Sequence, residues 1–75
     1  MKRILITGSS GYIGAKLTAF LSDKQDVGLI VGLDVKGPGY YGNKFVFYER
    51  DVREPVDDII NTHSIDTVIH AAFIL

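Results

Sequence analysis

An apolar strand that leads directly into three evenly spaced glycines is the feature that most limits how this chain can fold. Residues 4–6 are all aliphatic, and Gly8, Gly11 and Gly14 follow, with helical spacing of apolar residues from Gly11 onward. A strand–turn–helix of this kind points backbone N–H groups and the positive end of the helix dipole at one spot. A side chain at any of these glycines would obstruct the turn, the approach of a ligand or helix–strand packing. The pattern therefore predicts a phosphate-binding turn.

Hydrophobic spacing along the remaining chain predicts a short alternation of strands and helices. The predicted strands cover residues 2–7, 27–33, 45–48 and 66–71, and the predicted helices cover residues 11–22 and 55–62. Pro55 suits the first turn of the second helix. The apolar residues that give the first helix its spacing are Ile13, Leu17, Phe20 and Leu21. This alternation favours parallel strands joined by right-handed crossovers. The predicted fold class is α/β, half of a doubly wound Rossmann fold whose parallel four-stranded sheet has the order 3-2-1-4.

Length and composition exclude several classes of function. The chain has 75 residues, so we expect a single small domain over residues 1–75. A formal net charge of -1 gives no reason to expect nucleic acid or an acidic membrane as partner. The absence of cysteine excludes disulfides, a thiolate nucleophile and a cysteine metal site. No stretch approaches the ~20 apolar residues of a membrane span, so we expect a cytoplasmic protein.

An acidic residue at the end of the second strand completes a dinucleotide-binding pattern. Asp34 lies 20 residues past Gly14, where a carboxylate can accept hydrogen bonds from the adenosine ribose hydroxyls. The same charge repels a 2′-phosphate, which favours NAD over NADP, and Lys36 is the residue that could soften this preference. The alternative is an ordinary strand–helix turn in which Asp34 only caps a loop.

Three segments resemble a known family. Residues 7–14 are similar to the T-G-x-x-G-[FY]-[IL]-G signature of the extended short-chain dehydrogenases, which include NAD-dependent epimerases and dehydratases acting on nucleotide sugars. Residues 50–53 resemble the G-D-[IVL]-[RT] element of this family, with Arg50 in place of the glycine. Residues 66–72 resemble the family segment that begins D-x-V-[IF]-H and continues into small residues, which forms the fourth strand and the loop under the cofactor.

The resemblance implies a set of NAD-binding residues. Asp51 would meet the adenine amine, Val52 would offer backbone contacts, and Ala71 and Ala72 would lie under the cofactor. The complete predicted set is Gly8, Ser10, Gly11, Tyr12, Ile13, Gly14, Asp34, Asp51, Val52, Ala71 and Ala72.

No residue of the chain is predicted to be catalytic. The resemblance places the catalytic Ser/Thr and Tyr-x-x-x-Lys pair beyond residue 75. Tyr40 and Lys44 have the Tyr-x-x-x-Lys spacing, but they lie in a glycine-rich loop rather than one turn apart on a helix. His63 and His70 lack paired ligand spacing, so we expect no metal site.

These observations predict the NAD-binding portion of an NAD-dependent epimerase or dehydratase that is catalytically incomplete at this length. The alternative is a stand-alone nucleotide-binding or oligomerising module without enzymatic activity. The expected partners are a small-molecule dinucleotide and either a second copy or a C-terminal half, joined through the fourth strand. An open strand edge beside the apolar residues 73–75 favours such pairing.

Overall fold

A parallel sheet with one helix on each face forms the fold. The computed structural model describes residues 1–40, 42–51 and 53–71. The elements are β1 (Lys2–Thr7), α1 (Tyr12–Ser22), β2 (Val27–Asp34), β3 (Phe45–Glu49), α2 (Asp57–His63) and β4 (Thr67–His70). The sheet has the order β3-β2-β1-β4, and every pairing is parallel. The predicted fold class and strand order are confirmed.

The two central strands form the centre of the core. β1 pairs with β2 on one side and with β4 on the other, and it is buried from Ile4 to Thr7. A central parallel strand is covered on both faces, which explains its continuous aliphatic sequence. β2 is buried from Ile30 to Leu33 for the same reason.

The helices cover opposite faces of the sheet. Leu17 and Leu21 of α1 pack on a cluster that includes Ile4 and Ile6, while Ile59 of α2 belongs to a second cluster built on Leu5. Successive residues of β1 therefore contribute to different clusters, as the alternation of strand side chains requires.

The face that α1 turns toward the sheet differs from its most apolar positions. Gly14 and Thr18 are buried, whereas Ile13 and Phe20 are 55% and 58% exposed. Small residues at these two positions let the helix approach the sheet closely, and the Thr18 hydroxyl donates to the Gly14 carbonyl at 2.7 Å. The apolar spacing thus predicted the helix, and its residues Leu17 and Leu21 do pack on the core, whereas Ile13 and Phe20 do not.

The second helix begins later than its sequence suggested. Its N-cap is Val56, so Pro55 precedes the helix and the prediction that Pro55 lies in its first turn is wrong. Asp57 and Asp58 occupy the first turn and His63 the last, an arrangement that suits the helix dipole. Ser64 then ends the helix with a left-handed backbone (φ 52°).

Parallel pairing brings the carboxyl ends of all four strands to one edge of the sheet. The Gly8 amide, just past β1, donates to the Leu33 carbonyl at 2.7 Å, and the Ala71 amide, just past β4, donates to the Thr7 carbonyl at 2.9 Å. These bonds fix the chain just past β1 against the end of β2, and the chain just past β4 against the end of β1. Within the described ranges, no helix is long and apolar enough to cross a membrane.

Candidate functional site

The glycine turn after β1 contains two glycines that the fold itself requires. Gly8 has φ 73°, a left-handed conformation that residues with side chains rarely adopt. A Cβ on Gly14 would lie 2.1 Å from the Gly8 carbonyl oxygen and 2.8 Å from the Ser9 Cα. Gly8 therefore permits the turn, and Gly14 permits α1 to pack against it.

The fold itself does not require a glycine at position 11. Its backbone is extended (φ −73°, ψ 170°), and a Cβ there would lie 3.5 Å from the Gly8 carbonyl oxygen, an ordinary contact. Gly11 is the N-cap of α1, and the first N–H groups of a helix have no partner within it. The missing side chain leaves space beside these donors for an approaching group.

The Asp34 carboxylate is held at the carboxyl end of β2 by three backbone amides. Its Oδ2 accepts from the Ser10 amide at 3.0 Å, and its Oδ1 accepts from the Val35 and Lys36 amides at 2.7 and 3.3 Å. A carboxylate oxygen can accept more than one hydrogen bond, so Asp34 keeps capacity for a ligand hydroxyl.

A cavity of about 360 Å³ lies between the glycine turn and the ends of β2 and β4. Its lining residues are Gly8, Gly11, Tyr12, Ile13, Asp34, Lys36 and Ala71. All of them except Lys36 belong to the residues that the sequence predicted for cofactor binding. The cavity thus combines amides of the first turn of α1, a carboxylate and a lysine, groups that can bind a phosphorylated and hydroxylated ligand.

Two further predicted residues, Ser10 and Gly14, are not among those that line this cavity. Ser10 and Gly14 support the cavity from outside its lining, the first through Asp34 and the second through helix packing. Val52 and Ala72 lie outside the described residues. The cofactor-binding role of the predicted set stays a prediction.

Asp51 lines a second cavity, of about 210 Å³, together with Val35, Glu49, Arg50 and Glu54. Its Oδ2 lies 2.7 Å from Arg53 Nη2, and its Oδ1 accepts from the Arg53 amide at 2.9 Å. The hydrogen bonds from the Arg53 side chain lower the pKa of Asp51 from 3.8 to about 2. Asp51 is therefore an ionised acceptor, already partly engaged by a neighbouring cation.

The Tyr-x-x-x-Lys spacing at Tyr40 and Lys44 does not lie on a helix. The Tyr40 ring packs edge-on against Phe45, and the Lys44 Nζ donates to the Lys24 carbonyl at 2.9 Å, just past the end of α1. The loop therefore keeps these two residues from forming a pair on one helix face.

Both histidines have hydrogen-bond partners that the sequence did not reveal. His70 Nδ1 lies 2.9 Å from the buried Thr7 hydroxyl, and His63 Nε2 lies 2.7 Å from the Tyr48 hydroxyl. Among the described residues, no group of three or more metal-ligating side chains is placed to hold a metal ion.

The Lys36 side chain lines the cavity beside Asp34, and it is the lysine that the sequence singled out as able to soften the preference for NAD. One contact at the site was not predicted. The Ser10 hydroxyl donates to the Gly37 carbonyl, a contact between two loops that has no local sequence signal.

Comparisons with known proteins identify relatives of the chain. The chain is 39% identical over 71 residues to a UDP-glucose 4-epimerase of Halalkalibacterium halodurans, a match that covers 92% of this chain and 21% of that protein. It is 29% identical over 76 residues to an uncharacterized protein of Mycobacterium tuberculosis, covering 95% of this chain and 20% of the relative. The chain thus spans about a fifth of the length of these curated relatives.

A solved structure and a family model extend the comparison. The crystal structure of L-threonine dehydrogenase from Phytophthora infestans superposes with a TM-score of 0.75 at 32% identity, covering 99% of this chain and 24% of that one. The model of the NAD dependent epimerase/dehydratase family matches residues 4–75. Because this match includes nearly the whole sequence, the chain belongs to the NAD dependent epimerase/dehydratase family.

Proposed function

We propose that this chain is the NAD-binding portion of an NAD-dependent epimerase or dehydratase acting on a nucleotide sugar. The family is NAD dependent, and one relative is named as a UDP-glucose 4-epimerase. The observation that carries the proposal is the cavity in which the glycine turn, the first turn of α1 and the Asp34 carboxylate face the same space.

The glycine turn fits a diphosphate. Gly11 has room for a side chain within the chain's own packing, yet lacks one at the wall of the cavity. A phosphate oxygen placed there can accept hydrogen bonds from the amides of Tyr12 and Ile13, which begin α1, and gain from the helix dipole. Gly8 and Gly14 would support this site by keeping the turn tight.

The Asp34 carboxylate would bind the adenosine ribose. Its two oxygens are oriented by backbone amides and can accept further hydrogen bonds from vicinal hydroxyls. A 2′-phosphate would instead bring like charges together in a partly buried site, so NAD is favoured over NADP. The Lys36 side chain, which lines the same cavity, would reduce this repulsion, but the Asp34 carboxylate would still face the 2′-phosphate.

The adenine and the nicotinamide side of the cofactor would involve later residues. Asp51 would accept from the adenine amine, sharing its carboxylate with Arg53, and Val52 would add backbone contacts. Ala71 lines the cavity, and it would lie under the cofactor together with Ala72. The bound cofactor would supply hydride transfer, while this chain's residues bind and orient it.

The chain is proposed to be catalytically incomplete by itself. No residue is assigned as catalytic, because Tyr40 and Lys44 do not share a helix face and Lys44 bonds to the Lys24 carbonyl. The Ser/Thr and Tyr-x-x-x-Lys residues of the family pattern are expected in a region beyond residue 75.

Association through β4 is the second candidate function. Among the described residues β4 pairs with β1 alone, and Val68 in its middle is 43% exposed. An apolar strand with a free side favours pairing with another strand. Either a C-terminal half of a longer protein or a second copy would supply it, and sedimentation of the folded chain as a stable monomer would contradict this proposal.

Isothermal calorimetry with NAD and NADP tests the main proposal. We expect the chain to bind NAD more tightly than NADP, and Asp34→Asn to weaken NAD binding at least tenfold because hydrogen bonds to a charged group are lost. Asp26→Asn makes the same change at an exposed position away from the cavity and should leave binding unchanged. Absence of NAD binding by the folded chain, or equal effects of the two variants, would contradict the proposal.

A further inference from the structure

Residues 35–40, the segment that follows β2, pack directly on the glycine turn at Ser10. The Ser10 hydroxyl donates to the Gly37 carbonyl. The Gly39 Cα lies so near that a Cβ on it would be 2.9 Å from Ser10 Cα and 3.1 Å from the Ser10 carbonyl oxygen. The segment is therefore docked on the turn by one polar contact and one close steric contact.

The Asp34 carboxylate bridges the same two loops. One oxygen is bonded to the Ser10 amide of the glycine turn, and the other to the amides of Val35 and Lys36 in the docked segment. Its orientation consequently depends on both loops keeping their relative position. Ser10 contacts the segment and the carboxylate, so it is the residue through which the two are linked.

We propose that Ser10 is a positioning residue whose contact with residues 35–40 sets the discrimination between a ribose 2′-hydroxyl and a 2′-phosphate. This inference rests on the proposed function, since it concerns the ribose end of the same cavity. While the segment is docked, Asp34 is aimed by amides from both loops, and its charge opposes a 2′-phosphate.

Release of the segment changes the balance of charge at the ribose. The Ser10 amide would no longer be held against Asp34 Oδ2, and the carboxylate would lose part of its fixed orientation. The Lys36 side chain, which lines the cavity, would gain freedom to pair with a phosphate. Binding of a 2′-hydroxyl should therefore weaken, while binding of a 2′-phosphate weakens less or improves.

Three single substitutions distinguish the loss of the contact between Ser10 and residues 35–40 from a general loss of structure. Ser10→Ala removes the hydroxyl and keeps the amide that binds Asp34. Gly39→Ala places a methyl group against the Ser10 backbone. Ser22→Ala is the matched control, because it removes a serine hydroxyl that donates to the Thr18 carbonyl at 2.9 Å near the end of α1, outside the cavity lining.

The experiment measures the dissociation constants of ADP-ribose and of its 2′-phosphate for the full chain and each variant, with circular dichroism to verify folding. We expect the dissociation constant of the 2′-phosphate divided by that of ADP-ribose to fall about 3- to 10-fold in Ser10→Ala and Gly39→Ala, corresponding to the loss of one hydrogen bond, and to stay unchanged in Ser22→Ala. A merely structural role would weaken both ligands equally and leave the ratio constant.

The outcomes distinguish this inference from the function on which it rests. An unchanged ratio in a folded Ser10→Ala variant that still binds ADP-ribose overturns the positioning role and leaves the proposed function standing. No binding of either ligand by the folded parent chain overturns both. If Gly39→Ala does not fold, the Ser10→Ala ratio alone decides.

Discussion

Replacing Gly14 with alanine should destabilise the fold because the added methyl group has no space. The Cβ would lie 2.1 Å from the Gly8 carbonyl oxygen, 2.8 Å from Ser9 Cα and 2.9 Å from the Gly8 carbonyl carbon. All three atoms belong to the backbone, so no side chain can rotate away. Restoring an ordinary contact requires α1 to move by more than about 1 Å, and overpacking of this kind costs ~1–3 kcal/mol or more.

This cost is large for a domain whose whole stability is expected to be ~5–10 kcal/mol. Urea unfolding followed by circular dichroism should show a loss of about 3 kcal/mol for Gly14→Ala. Gly11→Ala is the matched control, since its Cβ would lie 3.5 Å from the nearest atom, and it should change stability by less than ~1 kcal/mol.

The same two variants separate packing from ligand approach. Gly11→Ala should bind NAD at least tenfold more weakly than the parent chain while remaining folded, because the methyl group stands at the wall of the cavity. Equal stability of the two variants would refute the packing argument. Unchanged NAD binding by Gly11→Ala would refute the role assigned to its missing side chain.

Three further predictions concern residues around the site. Asp51 should stay ionised down to about pH 2, because hydrogen bonds from Arg53 lower its pKa; its contribution to stability is then present above its ordinary value of 3.8 and lost as pH falls toward 2. Carbon-13 NMR titration should show the Asp51 midpoint rising toward 3.8 in Arg53→Ala, and an unchanged midpoint would contradict the pairing. Tyr48→Phe should cost ~1 kcal/mol in urea unfolding by removing the 2.7 Å contact with His63, and a neutral result would show that this contact adds no net stability. A double-mutant cycle on Arg50 and Asp58, which are 2.7 Å apart with side chains 26% and 62% exposed, should give a coupling below ~1 kcal/mol that weakens with salt; a larger value would mean that the pair is better shielded from water.

Much of the fold was predictable because its signals are local. The aliphatic run of β1 indicated a strand buried on both faces, and the glycine spacing indicated the turn that Gly8 and Gly14 make. Alternation of strands and helices then left few topologies, so the order of the sheet followed from chain connectivity. The position of Asp34 at the end of β2 was predictable for the same reason.

The features that escaped prediction depend on tertiary contacts. Ile13 and Phe20 have helical spacing, but close approach of α1 to the turn buries Gly14 and Thr18 instead. The hydrogen bond from the Ser10 hydroxyl to Gly37 joins loops that are distant in sequence.

The pairing partner of Asp51 was likewise not predictable from the sequence. Its pairing with Arg53 is a choice between side-chain rotamers on an exposed turn, and spacing along the chain does not determine it.

Titration of the nitrogen-15 labelled chain with NAD, followed by NMR, tests the central claim most directly. We expect saturable shifts that are largest at the amides of residues 8–13 and of Asp34, the groups around the cavity. Shifts that do not saturate, or that concentrate on other parts of the sheet, would contradict it.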